Sequence, residues 1–189
     1  MSQRLFIVHG FEGDPHGNWF DWLAQQARAA GLAATQLRMP NPARPVAAHW
    51  QQALDTAVGT PDADTFLVGH SLGCISLLHF LSRRTPAQLG GLVLAAGFAR
   101  VLPRLPQLDA YIQHSRPDYT ALAQIAMPVH CVISRNDTHV PPALSEQMAQ
   151  ALHGRISWLN NGGHLMAEDG FTELPVVWAA LQAMWPTQS

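Results

Sequence analysis

Lysine is absent from this chain. All 11 basic residues are arginines, and they are scattered among 13 acidic residues, which gives a formal net charge of -2 at pH 7. Such a distribution offers no basic stripe that could follow the phosphates of a nucleic acid. We therefore expect no nucleic-acid partner.

Long apolar runs are missing as well. The first one, residues 5–8, is too short for the core of a signal peptide, and no stretch approaches the length of a membrane-spanning helix. We therefore expect a cytoplasmic protein without a membrane partner. With 189 residues, 48% of them hydrophobic, the chain is expected to form one compact domain over 1–189.

Metal-binding and redox motifs are also lacking. Cys74 and Cys131, the two cysteines, are far apart and fit neither a zinc nor a redox spacing, so we expect both to be small buried hydrophobic residues. The ten histidines contain no His-Glu-x-x-His pattern or comparable grouping. No metal site is expected.

Six short apolar runs alternate with segments that have helical spacing. Alternation of this kind predicts an α/β protein, a three-layer sandwich in which helices cover both faces of a mostly parallel sheet of about six strands. Segment 97–127 is rich in proline and longer than an ordinary connection, and we expect it to form a small cap over a site. The strands are expected at 5–8, 34–38, 65–68, 92–95, 129–134 and 156–159, and the helices at 18–30 (capped by Asn18), 46–58, 72–83, 141–152 and 171–184.

The motif Gly69-His70-Ser71-Leu72-Gly73 stands between a predicted strand and a predicted helix. A serine in a strained strand-to-helix turn needs small neighbours, because bulk at those positions would collide with the adjacent backbone. Gly69 and Gly73 meet that demand. The motif therefore predicts a nucleophile elbow with Ser71 as the nucleophile.

Asp137 follows the fifth predicted strand, where a carboxylate can orient a histidine. Aspartate also favours turns and helix caps, so a purely structural role for Asp137 stays open. Asp118, in the irregular segment, is the weaker rival because it is not attached to the end of a strand.

His164 follows the sixth predicted strand through a glycine-containing loop, which is the position expected for a general base. His70 beside the nucleophile, His130 inside a strand and His139 near Asp137 fit this role less well. Together the order Ser71, Asp137, His164 predicts a catalytic triad.

Backbone N–H groups and apolar side chains near these loops are the remaining candidates. The N–H groups of Phe11 and Leu72 are expected to form an oxyanion hole, although an ordinary loop at Phe11 stays open. Substrate contacts are expected from Trp19, Phe98, Leu102 and Met166, and further candidates are Phe11, Leu108 and Tyr111. For each of them plain core packing is an open alternative.

With these motifs the chain resembles the α/β-hydrolase superfamily, and within it the small serine hydrolases that include retinoblastoma-binding protein nine and its bacterial relatives. The resemblance implies a minimal α/β-hydrolase fold and hydrolysis of carboxylic esters or peptide-like bonds without a cofactor. It spans nearly the whole chain and rests on His9-Gly10, Trp19-x-x-Trp22-Leu23, Gly69-His70-Ser71-Leu72-Gly73, Asp137 with Val140-Pro141, and Gly162-Gly163-His164.

The sequence thus predicts a carboxylesterase-like serine hydrolase that forms an acyl-Ser71 intermediate on a small ester or peptide-like substrate; peptidase or thioesterase activity stays open. The alternative is a catalytically silent interaction module with the same fold. A retinoblastoma-type partner is not expected, because Ser76 replaces the glutamate of the Leu-x-Cys-x-Glu motif.

Overall fold

A computed structural model of the chain describes residues 3–185. Its six strands form one sheet in the order β2-β1-β3-β4-β5-β6, and every neighbouring pair is parallel. This confirms the predicted fold class. The strands are β1 Arg4–Val8, β2 Ala33–Leu37, β3 Thr65–His70, β4 Gly91–Ala95, β5 Val129–Ser134 and β6 Arg155–Leu159.

Helices cover both faces of the sheet. The core on one face includes side chains of α1 and α7, and the core on the other face includes side chains of α2 to α6. No helix among residues 3–185 combines the length and apolar character needed to cross a membrane. The helices are α1 Phe20–Ala29, α2 Ala47–Val58, α3 Leu72–Arg84, α4 Asp109–His114, α5 Tyr119–Leu122, α6 Pro142–Ala151 and α7 Pro175–Met184.

Strand β1 shows why these runs form a sheet that is buried on both sides. Leu5 and Ile7 pack into the core on the α1 and α7 face, and Phe6 and Val8 pack into the core on the opposite face. Successive side chains of a strand point to opposite faces, so a continuous apolar run can fill both cores at once.

Two predicted helix starts differ from the structure by two residues or more. Helix α7 begins at Pro175 rather than at 171, because proline suits the first position of a helix and disfavours helical backbone at the preceding Leu174. Helix α1 begins at Phe20 without a side-chain cap. The Asn18 side chain instead accepts a hydrogen bond from the Ala167 N–H across the molecule (2.9 Å).

Segment 97–127 contains the 3-10 turn Pro106–Leu108 and the short helices α4 and α5. Several of its apolar side chains are buried in the core shared with α2 and α3, among them Leu102, Leu108, Tyr111 and Leu122. The segment therefore contributes much of its length to the core, and only a small part of it borders the site described next.

Candidate active site

Ser71 lies in the tight turn that joins β3 to α3. Its backbone φ is 53° and ψ is -119°, a conformation that non-glycine residues rarely adopt. A Cβ on Gly69 would come within 2.9 Å of the Cys74 backbone nitrogen, and a Cβ on Gly73 would overlap the Val8 carbonyl oxygen. Glycine is therefore required on both sides of the serine for reasons of space.

Ser71, His164 and Asp137 form a continuous chain of hydrogen bonds. The Ser71 hydroxyl donates to His164 Nε2 (2.9 Å), and His164 Nδ1–H donates to Asp137 Oδ2 (2.8 Å). All three residues are buried. The structure thus brings together three residues that the sequence separates by up to 93 positions.

Asp137 satisfies both interpretations considered for it. Oδ2 contacts the His164 ring, while Oδ1 accepts the backbone N–H groups of His139 (2.8 Å) and Val140 (2.9 Å). The carboxylate therefore ties its own turn and holds the imidazole at the same time. The rival Asp118 only caps helix α5, through the N–H groups of Thr120 and Ala121.

Side-chain acceptors fix the backbone of the loop that carries His164. Asp169 is the most prominent, because one of its carboxylate oxygens, Oδ2, accepts two N–H groups of this loop. The space for that carboxylate exists because Gly163 has no Cβ, and the φ of Gly163 is also positive (53°). Sequence analysis missed all of these acceptors. The bonds are Gly162 N–H to Ser134 Oγ (2.9 Å), Gly163 N–H to Asn136 Oδ1 (2.9 Å), and the His164 and Met166 N–H groups to Asp169 Oδ2 (2.8 and 3.1 Å).

Two buried aromatic rings hold the same loop through its carbonyl groups. His70 Nε2–H donates to the His164 carbonyl (2.8 Å), and Trp19 Nε1–H donates to the Leu165 carbonyl (2.9 Å). Burial, and secondarily the neighbouring His164, lowers the pKa of His70 to about 3. His70 is therefore a neutral donor that orients the backbone of His164 and not a second base.

Replacing Trp19 by phenylalanine is expected to lower the free energy of unfolding by about 2 kcal/mol, because the change leaves the Leu165 carbonyl unpaired and opens a small cavity. Urea denaturation measures this. The matched control is Trp178→Phe, because the Trp178 indole is only half-buried and makes no hydrogen bond within residues 3–185. Equal losses in the two variants would contradict the role assigned to the Trp19 N–H.

The two predicted oxyanion donors lie close to Ser71, the predicted nucleophile. Leu72 begins α3 directly after Ser71, and Phe11 follows the β1 turn and lines the cavity that contains Ser71. Neither N–H has an acceptor within the part of the chain that the structure describes. A Cβ on Gly10 would come within 2.9 Å of Ser71 Cβ, so the β1 turn approaches the serine closely.

His9 holds the peptide group that contains the Phe11 N–H. His9 Nε2 accepts the Met39 N–H (3.1 Å), so the ring proton is on Nδ1, which donates to the Gly10 carbonyl (2.8 Å). Burial lowers the pKa of His9 and favours this neutral form. Because the Gly10 carbonyl and the Phe11 N–H belong to one planar peptide, fixing the first also fixes the second.

A cavity of about 560 Å³ contains Ser71 and His164. Met166 lines it as predicted, but Trp19, Phe98 and Leu102 do not: all three are fully buried in the core, so the structure does not place them where the predicted substrate contacts would be. The candidates Leu108 and Tyr111 are core residues too. Large apolar side chains near these loops fill the interfaces between helices and sheet, so most of the residues that line the cavity are polar. Leu105 and Gln107 also line it and were not predicted.

Within residues 3–185, one group of side chains offers three potential metal ligands close together. Ligand atoms of Asp137, His139 and His164 lie within 4.8 Å of one another. His164 is hydrogen-bonded to both Asp137 and Ser71, so the closeness of these ligand atoms is explained by the hydrogen-bonded chain described above. A larger groove, about 680 Å³ between α2, α3 and α4, contains none of these residues.

The chain is similar in sequence and in structure to proteins described as hydrolases or esterases. A model of the serine hydrolase family matches residues 5–183. YdeN from Bacillus subtilis (strain 168) is 34% identical over 190 residues and aligns over 100% of both chains. The crystal structure of the ydeN gene product covers 97% of this chain and 98% of its own, with a TM-score of 0.92. Est1E from Butyrivibrio proteoclasticus shares the fold, with a TM-score of 0.71 at 14% identity, over 97% of this chain and 87% of its own.

Proposed function

The chain belongs to the serine hydrolase family, and from that premise we propose that it cleaves carboxylic esters or related acyl bonds through an acyl intermediate on Ser71. The observation that supports this most strongly is the hydrogen-bonded chain from Ser71 through His164 to Asp137 beside a cavity of about 560 Å³. A volume of that size suits a small substrate.

In the first half of the reaction, Ser71 Oγ attacks the carbonyl carbon of the ester while His164 Nε2 takes the hydroxyl proton. Asp137 keeps the other ring proton on Nδ1 and stabilises the imidazolium that forms. The carbonyl oxygen becomes an oxyanion, and the N–H groups of Phe11 and Leu72 donate to it. The alcohol then leaves with the proton from His164 Nε2, and the acyl group stays on Ser71.

In the second half, water replaces the alcohol. His164 Nε2 takes a proton from the water molecule, whose oxygen attacks the acyl carbon, and the same two N–H groups stabilise the second oxyanion. Collapse of this intermediate breaks the bond to Ser71 Oγ, which recovers its proton from His164. The carboxylic acid is released and the resting hydrogen-bonded chain is restored.

Labelling with a fluorophosphonate tests the proposal directly, because only an activated serine reacts with it. We expect one label per chain, located by peptide mass spectrometry on Ser71, together with turnover of p-nitrophenyl esters in a series from acetate to octanoate. Ser82→Ala is the matched control, since Ser82 lies on α3 outside the cavity and its hydroxyl donates to the His79 carbonyl.

The proposal fails if the wild-type protein neither takes up the label nor hydrolyses any ester of the series. In that case the fold would serve as an interaction module and Ser71 would be an unreactive residue of a tight turn. Label on a serine other than Ser71 would equally contradict the assignment of the nucleophile.

A further inference from the structure

The cavity that contains Ser71 is lined by acidic side chains. Glu12, Asp14 and Glu168 contribute carboxylates, and no arginine lines the cavity within the described residues. The chain contains no lysine, so no lysine can neutralise them. His139 is the exposed histidine among the residues that line the cavity. At neutral pH the entrance to the site therefore has an excess of negative charge.

Among the residues that the structure describes, only one of the three carboxylates has a cationic partner. Asp14 pairs with Arg38 at 3.3 Å. Within residues 3–185, the carboxylates of Glu12 and Glu168 form no ion pair and accept no hydrogen bond. The nearby Arg104 donates to the Thr138 carbonyl and lies outside the lining of the cavity. Two negative charges thus remain at the site without an ion-pair partner in the part of the chain that the structure describes.

Each of these two carboxylates belongs to a loop that also carries a residue of the proposed site. Glu12 directly follows Phe11, whose N–H is the proposed oxyanion donor, and Glu168 belongs to the turn that begins three residues after His164. The leaving alcohol receives its proton from His164, so it has to lie beside the loop that carries Glu168. The aromatic ring of Phe11, also at the cavity, offers a face that attracts cations.

We propose that the site prefers esters whose alcohol portion carries a positive charge, such as a quaternary ammonium group. This inference rests on the proposed function, because it concerns substrates of the same site. Exposed ion pairs each change an equilibrium by about 1.5- to 5-fold. The two carboxylates together are expected to favour a cationic ester over its neutral isostere by about 2- to 25-fold in kcat/KM.

The test compares acetylcholine with 3,3-dimethylbutyl acetate, in which a tert-butyl group replaces the trimethylammonium group. The quantity measured is the ratio of the two kcat/KM values, in the wild type and in Glu12→Gln/Glu168→Gln. We expect the double variant to lower this ratio by about 2- to 25-fold. Because a ratio is compared between proteins, intrinsic differences in ester reactivity and any common loss of activity cancel.

Two controls sharpen the test. Glu146→Gln/Glu173→Gln removes the same number of charges outside the cavity and is expected to keep the wild-type ratio. Raising the ionic strength from about 0.02 to 0.5 M is expected to lower the ratio in the wild type and not in Glu12→Gln/Glu168→Gln. If Glu12→Gln/Glu168→Gln still hydrolyses the neutral ester and keeps the wild-type ratio, this inference is wrong but the proposed function still holds. If the wild type hydrolyses neither these esters nor the p-nitrophenyl series, the proposed function fails and this inference fails with it.

Discussion

Ser71→Ala and His164→Ala are each expected to lower kcat/KM for p-nitrophenyl esters by about 10³-fold or more, and the double variant is expected to lose no more than about tenfold beyond either. In the proposed mechanism, serine and base act as one unit, because Ser71 attacks only while His164 Nε2, 2.9 Å from Oγ, removes its proton. The losses in kcat/KM are measured by steady-state kinetics on two p-nitrophenyl esters, one with a shorter and one with a longer acyl chain than the best substrate of the series.

Matched controls separate loss of chemistry from loss of structure. Ser82→Ala and His153→Ala change the same residue types outside the cavity and are expected to keep wild-type activity. Circular dichroism and denaturation midpoints should show that all variants are folded. If the losses of the two single variants multiply in the double variant, the two residues act independently, and the proposed mechanism is wrong.

The fold was predictable because its signal is local. Each strand is a short apolar run, and a parallel sheet buried on both faces needs little more than that, so the predicted strands agree with the observed ones to within two residues. The start of α7 was less predictable. Its helical pattern extends back to 171, and only the backbone preference imposed by Pro175 on Leu174 decides where the helix begins.

The geometry of the site was predictable for a topological reason. Ser71, Asp137 and His164 each follow a strand, and the carboxyl ends of parallel strands meet at one edge of the sheet. The hydrogen bonds that hold the loops of these three residues in place were not predictable. Trp19 reaches the loop of His164 from 146 positions away, and no local pattern shows that its indole N–H bonds to a carbonyl there while its ring belongs to the core.

The lining of the cavity was the least predictable part. A sequence shows that Phe98 and Leu102 are apolar and lie near a catalytic loop, but not on which side of the backbone each side chain packs. The structure buries both in the core and leaves the polar Glu12 and Gln107 at the cavity. Inferences about substrate therefore need the tertiary structure, whereas inferences about the nucleophile did not.

Acidification is expected to destabilise the protein through His70. The pKa of His70 is about 3 in the folded chain, compared with 6.5 for an exposed histidine, because burial disfavours the charged ring. Between these two values the unfolded chain binds a proton that the folded chain does not, so stability falls as the pH drops below 6.5. From pH 7 to 4.5 this group alone is expected to lower the free energy of unfolding by about 2.5 kcal/mol.

His70→Gln isolates this contribution. A glutamine amide can still donate to the His164 carbonyl in place of His70 Nε2–H, but it does not titrate. Urea denaturation at pH 7 and pH 4.5 should therefore show that the variant loses about 2.5 kcal/mol less than the wild type over this interval, while the other buried histidines contribute equally to both proteins. Parallel losses in the two proteins would mean that His70 becomes protonated in the folded state, and its role as a neutral donor to the loop of the base would have to be abandoned.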